Sequence, residues 1–129
     1  MKRVFVSHYP GSSAHGPALV AALRASGCVV AQSPDPDRME NWYASGLSDA
    51  LDKSNVFVCV VCASWDSSTW MAIEADEALK RFNSNRIGKY FTYNPEKLPV
   101  RAEGMIPYLL NPLPHKLSEA VGTILGQAT

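Results

Sequence analysis

The fold is decided by residues 56–74, which read VFVCVVCASWDSSTWMAIE. The first seven of these, residues 56–62, are all apolar, which is typical of a central strand covered on both faces. The serine-rich part that follows can cap a helix, on which Trp70 and Glu74 are four residues apart and share one face. The stretch therefore predicts an aromatic ring beside a carboxylate, just after the carboxyl end of a strand.

The same order of strand and helix occurs twice before this stretch. Val4 to Val6 is a short apolar strand, and an alanine- and leucine-rich helix follows it, with Pro17 in its first turn and Gly27 as its C-terminal cap. Residues 28–31 predict a second strand, and residues 41–54 predict a second helix. Three strand–helix units in succession predict a parallel sheet wrapped by helices.

The last part of the chain is less regular. Residues 87–93 predict a fourth strand, and the proline-broken segment 94–107 predicts a loop. Residues 108–110 predict a short fifth strand, and Pro114 opens a final helix over residues 116–125. We expect an α/β protein with one domain over residues 1–129, in a flavodoxin-like three-layer fold with a mostly parallel five-stranded sheet flanked by helices.

Composition disfavours several classes of function. Twelve basic residues balance twelve acidic ones, so the chain carries no overall charge that would favour nucleic acid or an anionic membrane. No apolar run approaches the roughly 20 residues of a membrane-spanning helix, and the first residues lack the pattern of a signal peptide. We therefore expect a cytoplasmic protein that binds neither nucleic acid nor membrane.

The cysteines and histidines do not predict a metal site. Cys28, Cys59 and Cys62 are embedded in apolar runs, which favours reduced core residues. The three histidines are scattered at positions 8, 15 and 115, without clustered ligands. We expect no bound metal.

Ligands of open α/β sheets bind in the crevice outside the carboxyl ends of the strands. Three predicted loops meet there, at residues 7–13, 32–40 and 63–68. The candidate side chains that these loops and the following helices contribute are Ser7, Tyr9, Asp35, Trp42, Trp65, Trp70 and Glu74. Aromatic rings beside acids suit a base and a ribose. The chain has neither a glycine-rich dinucleotide fingerprint, nor a phosphate loop with its lysine, nor a nucleophile elbow, so hydride transfer, kinase and serine-nucleophile chemistry lack support.

Two motifs, one in the first strand and one at the start of the third helix, resemble those of the Toll/interleukin-1 receptor (TIR) domain family. Residues 4–8, VFVSH, are similar to its opening strand. Residues 68–74 match the serine-x-tryptophan-three-residues-glutamate motif of the members that cleave NAD+, and Trp65 occupies the family's usual aromatic position. The resemblance covers about residues 3–82.

The resemblance implies cleavage of the bond between nicotinamide and ribose in NAD+, which is the substrate, so no cofactor is implied. It assigns Glu74 as the catalytic residue and Ser7, Tyr9, Trp42 and Trp70 as substrate-binding residues. One carboxylate suffices chemically, because nicotinamide leaves from a pyridinium that is already cationic and needs no proton from a general acid. The product, ADP-ribose or a cyclic or variant ADP-ribose signal, stays open.

The family resemblance also implies a role in immune signalling. Its single-domain members often become active when protomers stack, so we expect a weakly active or inactive monomer that self-association activates. Other TIR-containing or effector proteins are the implied partners. Two further functions stay open: a noncatalytic TIR scaffold for homotypic interaction, and an enzyme like the nucleoside deoxyribosyltransferases.

Plain structural interpretations compete with these assignments. Taken alone, Trp70 is typical of a core residue, and Glu74 of a solvated acid on a helix. Ser7 could bond only to nearby backbone. The sequence assigns no role to His8 or His15, and the acids of the Pro/Asp-rich loop 32–40 are typical turn residues.

Overall fold

A computed structural model of the chain describes residues 2–8, 14–32, 46–61, 69–100 and 109–126, with the side chains of residues 69 and 70 left out. The strands are β1 (Arg3–Ser7), β2 (Val29–Gln32), β3 (Val56–Val60) and β4 (Lys89–Tyr93). The helices are α1 (His15–Ala25), α2 (Leu47–Asp52), α3 (Thr69–Asn83) and α4 (Leu117–Ile124). Helices and strands alternate as the sequence predicts. No helix within these ranges is long and apolar enough to cross a membrane.

The four strands form one sheet in the order β2-β1-β3-β4, and every neighbouring pair is parallel. The predicted α/β class with a parallel sheet is confirmed, and the order is compatible with a flavodoxin-like fold. All five residues of β3 are buried, as expected of a central strand. The chain moves outward from β1 to β2 and then crosses back to β3, so the strand order reverses between β1 and β3.

Side-chain alternation along the strands builds two apolar layers, one on each face of the sheet. Val4 and Val6 face a layer that includes Leu19 of α1 and Ala120 of α4, which we call the α1–α4 face. Phe5 lies on the other side, in a layer with Leu51 of α2 and Ala75 of α3, which we call the α2–α3 face. Helices therefore cover both faces, as the three-layer prediction requires.

The predicted five-stranded sheet is wrong for the described residues, which form four strands. Leu109 and Leu110 of the expected fifth strand lie in a turn and a bend. A single parallel bridge joins Pro112 to Thr92 instead: the Thr92 N–H donates to the Asn111 carbonyl at 3.3 Å, and the Leu113 N–H donates to the Thr92 carbonyl at 2.8 Å. The pairing stops there because Asn111, at φ 46°, turns the chain away from extended geometry.

The end of α1 follows its predicted cap. Gly27 adopts φ 91°, a conformation that suits glycine, just after the helix. Its N–H donates to the Arg24 carbonyl, and the Cys28 N–H donates to the Leu23 carbonyl, both at 3.1 Å. This paired closure is a Schellman motif, and it sends the chain directly into β2.

Candidate functional site

Ser7 and Glu74 meet in the interior of the protein. Ser7 is the last residue of β1 and lies on the α2–α3 face, two residues after Phe5. Its Oγ donates a hydrogen bond to Glu74 Oε1 at 2.7 Å, and both residues are fully buried. The structure therefore brings together two predicted site residues. Glu74 is not a solvated helix acid, and Ser7 does more than bond to nearby backbone.

Helical spacing explains why Glu74 faces the sheet. The buried positions of α3 include Met71, Glu74, Ala75 and Ala78, which follow the three-and-four-residue period of a helix stripe. A glutamate is seldom buried without a partner, because removing its charge from water is costly. The hydroxyl of Ser7 offsets part of that cost with a charge-assisted hydrogen bond.

An aromatic row crosses the sheet one layer below this pair. It consists of Phe5, Phe57 and Tyr90, which are register partners on β1, β3 and β4. Ring centroids lie 5.6 Å apart between the first two and 5.0 Å apart between the last two. These rings fill the middle of the α2–α3 face.

Two residues further toward the carboxyl ends, the same three strands present small polar side chains. We call Ser7, Cys59 and Thr92 the polar row; they are register partners in turn, and all are buried. Neighbouring members are about 4.8 Å apart across the sheet. The change from large rings to small side chains leaves space at the carboxyl edge, and Glu74 reaches Ser7 there.

This position matches the location at which open parallel sheets bind ligands. Ser7 ends β1, and its register partner Cys59 lies on β3, across the point where the strand order reverses. Crevices at such points are the usual binding sites of doubly wound sheets. A buried carboxylate held by a hydroxyl at this point can stabilise positive charge on a ligand.

A second polar contact lies on the opposite face of the same edge. His8 follows Ser7 directly and is 5% exposed, and its Nε2 lies 2.9 Å from Oε1 of Gln32, the last residue of β2. A methyl group added at Gly16 of α1 would come within 2.5 Å of the His8 ring, so the ring packs where only glycine leaves space. Burial lowers the pKa of His8 below its ordinary value, and the bond to Gln32 offsets part of this. Sequence reasoning missed this pair.

Arg81 fixes α3 against α2. Its side chain is 6% exposed, and its Nε donates to Asp52 Oδ1 at 2.8 Å. The remaining nitrogens donate to Ser48 Oγ at 2.9 Å and to the Glu77 carbonyl at 3.0 Å. The Arg81 hydrogen bond lowers the pKa of Asp52, and hydrogen bonds from Lys80 and Arg81 lower that of Glu77. This network holds in place the helix that carries Glu74.

Other predicted site residues lie outside the described residues. These are Tyr9, Asp35, Trp42 and Trp65. The backbone of Trp70 belongs to α3, one turn before Glu74, and its side chain is outside the description. The structure thus positions Ser7 and Glu74 and leaves the predicted aromatic contacts as predictions.

Two surface cavities lined by described residues lie away from the pair of Ser7 and Glu74. One of about 380 Å³ is lined by Lys89, Phe91 and Asn111 at the outer edge of β4, among other residues. Another of about 270 Å³ borders β2 and is lined by Val29 and Lys53, among others. Neither includes Ser7 or Glu74, so the carboxylate lies beneath the surface rather than in either of these two cavities.

The motifs that resemble the TIR family map onto two elements of this site. The VFVS part of the first motif forms β1, and the second motif ends at Glu74 of α3, while Ser68 lies outside the described residues. Among the described residues, no three His, Cys, Asp or Glu side chains are grouped as metal ligands would be. No model of a known protein family matches the chain, and no curated protein matches its sequence.

Proposed function

We propose that the chain is a TIR-like NAD+ nucleosidase, with Glu74 as its catalytic residue. The observation that carries the proposal is the buried hydrogen bond from Ser7 to Glu74 at the carboxyl edge, between β1 and β3. This bond joins one residue from each of the two motifs on which the family resemblance depends. It also leaves one oriented carboxylate at the place where parallel sheets bind nucleotides.

The reaction needs one acid. The bond between C1′ of the ribose and the nicotinamide nitrogen breaks, and the bonding electrons neutralise the pyridinium. The sugar becomes an oxocarbenium ion, whose positive charge the Glu74 carboxylate stabilises, an effect that is strong where water is excluded. Water adds to C1′ and releases a proton, so NAD+ and water give nicotinamide, ADP-ribose and H⁺. Ser7 keeps the carboxylate in position by its hydrogen bond to Oε1.

The burial of Glu74 bears on activation. Because the carboxylate has no exposed surface, substrate reaches it only when neighbouring groups move aside. An isolated chain therefore has little activity under this proposal, and self-association supplies the rearrangement. Activity would then be regulated by self-association, as it often is in single-domain members of the family that the motifs resemble.

The test is product analysis by mass spectrometry after incubation with NAD+, in dilute solution and with a crowding agent. We expect nicotinamide and an ADP-ribose product, with more turnover under crowding. Glu74→Gln keeps the size of the side chain and abolishes turnover. Asp76→Asn is the matched control, because Asp76 lies on the same helix with its side chain 66% exposed. It retains full activity.

Three outcomes would overturn the proposal. Full activity of a folded Glu74→Gln variant excludes the assigned catalytic residue. Assembly under crowding without any NAD+ turnover favours the noncatalytic scaffold. Transfer of deoxyribose between free bases, with NAD+ untouched, favours the deoxyribosyltransferase-like enzyme.

A further inference from the structure

Gln32 is a partly exposed amide at the carboxyl edge of the sheet. It ends β2, and its register partner on β1 is Val6, one residue before Ser7. Like Val6, it lies on the α1–α4 face, whereas Glu74 lies on the α2–α3 face. Gln32 therefore borders the same crevice as Glu74, from the other side of the sheet and one strand further out.

His8 fixes the orientation of this amide. The Gln32 atom that faces His8 Nε2 is the carbonyl oxygen, which accepts, so Nε2 carries the proton and donates. The amide nitrogen of Gln32 then points away from the ring and retains two donors. Among the residues that the structure describes, no other hydrogen bond of the Gln32 side chain is present.

Holding Gln32 in this orientation costs the protein stability that a freely rotating surface glutamine would not cost. His8 must be buried, which removes a polar ring from water, and Gly16 must remain a glycine to leave space for that ring. A side chain exposed at a crevice and held at this cost is preorganised for a ligand.

We infer that Gln32 is a substrate-binding residue that donates from its amide to an uncharged acceptor on the adenosine half of NAD+, and that His8 is its positioning residue. This inference rests on the proposed function. A neutral amide suits a ring nitrogen or a ribose oxygen, whereas phosphate is best matched by charged donors. We assign Gln32 to the adenosine half because it lies on the opposite face of the sheet from Glu74, away from the bond that breaks.

One substitution separates binding from structure. Gln32→Glu keeps an oxygen that accepts from His8 and replaces the amide nitrogen by a second oxygen. The packing role survives, while the two donors are lost and a negative charge faces the ligand. If the pair is only structural, Gln32→Glu leaves substrate binding unchanged.

The experiment measures KM and kcat for NAD+ under crowding, and affinity by calorimetry in a Glu74→Gln background, which prevents turnover. We expect Gln32→Glu to raise KM about tenfold with kcat within about twofold, the size of one lost ligand hydrogen bond with added repulsion. Affinity for ADP-ribose falls by the same factor, and affinity for nicotinamide mononucleotide stays within about twofold. His8→Phe keeps an aromatic ring at this position without the Nε2 donor, and it raises KM by a smaller factor.

The two proposals fail differently. If wild-type protein cleaves NAD+ and Gln32→Glu leaves KM and ADP-ribose affinity unchanged, the role of Gln32 is wrong and the proposed function stands. Equal losses for ADP-ribose and nicotinamide mononucleotide overturn the adenosine assignment. If wild-type protein neither binds nor cleaves NAD+, both proposals are overturned.

Discussion

Ser7 and Glu74 are 67 residues apart in the chain, and their side chains form a buried hydrogen bond of 2.7 Å. The bond joins the end of a strand to the second turn of a helix that packs on it. Because a carboxylate away from water depends on its donors, this contact contributes to both the local stability and the position of the acid.

Ser7→Ala should therefore weaken both properties. The variant removes one hydrogen-bond donor from a buried carboxylate, so we expect the free energy of unfolding to fall by about 2 kcal/mol. In an NAD+ assay, kcat should fall with little change in KM, because the acid is displaced and the rest of the site is intact. Chemical denaturation and steady-state kinetics measure the two effects.

Ser54→Ala is the control for Ser7→Ala. Ser54 is also buried, but its Oγ donates to the Ala50 carbonyl one turn earlier in the chain, where no charge is involved. We expect a loss of about 1 kcal/mol or less and no change in kcat. Equal effects of the two variants would contradict the special position of Ser7.

Gly16→Ala should destabilise the protein by forcing a methyl group against the His8 ring. The contact would be 2.5 Å, and overpacking of this kind costs typically about 1–3 kcal/mol, more than the gain in helix propensity. Adding His8→Gly removes the whole side chain, including the Cβ that would lie 2.7 Å from the methyl group, so the cost of Gly16→Ala should disappear in that background. Thermal unfolding of the four proteins forms the double-mutant cycle.

Gly122→Ala supplies the matched control in α4, since none of the described residues lies within 4 Å of the added methyl group. There the gain in helix propensity acts alone, and we expect stabilisation of about 0.5–1 kcal/mol. Destabilisation at both glycines would show that the effect at Gly16 is not steric contact with His8.

Arg81→Met should loosen α3 from α2 and change the acid response. Asp52 and Glu77 have lowered pKa values in the folded protein, so their contribution is complete above their unfolded values near pH 4 and is lost as pH falls through the folded ones. At neutral pH we expect a loss of about 1–2 kcal/mol. The figure is below that for a fully buried pair because water can solvate Asp52, which stays 51% exposed.

The measurement for Arg81→Met is denaturant unfolding from pH 7 to pH 3. The difference from wild type should shrink as pH falls below about 4, where the carboxylates lose their charge in both states. Arg86→Met is the control, because Arg86 is 59% exposed and its nitrogen lies 4.0 Å from Asp52. It should change stability by less than about 0.5 kcal/mol. A difference for Arg81→Met that is constant with pH would refute the electrostatic explanation.

Thr92→Val should stabilise the protein. The Thr92 hydroxyl is buried and has no hydrogen-bond partner among the residues that the structure describes, and valine has nearly the same shape without the polar atom. Removing an unsatisfied buried hydroxyl should gain about 1 kcal/mol, visible as a rise in Tm. Thr123→Val, where the hydroxyl is exposed and donates to the Glu119 carbonyl, should change stability by less than about 0.5 kcal/mol. A destabilised Thr92→Val would show that the hydroxyl is bonded in solution.

The sequence predicts the framework because its signals are local. The apolar run of β3 and the glycine after α1 each specify one element through its own residues, and the order of elements then favours a parallel sheet. The fifth strand was predicted wrongly for the same reason. An apolar run at 108–110 suggests a strand, but the turned backbone at Asn111 limits pairing to one bridge.

The site was predictable only in part. The motif spacing singled out Glu74, which occupies one of the buried positions of α3. The partnership of His8 with Gln32 depends on the register between β1 and β2, which no pattern within either strand encodes. Side-chain alternation could have placed Ser7 and His8 on opposite faces of the sheet, but it could not have identified their partners.

The polar row has a consequence for folding. Ser7, Cys59 and Thr92 come from three strands that are far apart in the chain, so the row does not exist until all three have paired. Such long-range pairing forms slowly and cooperatively, in contrast to a single helix. A partly folded chain that retains α3 would still carry Glu74, but without its hydroxyl partner and without the sheet beneath it. During refolding, enzymatic activity and the complete sheet should therefore appear in one transition, and no folding intermediate should be active.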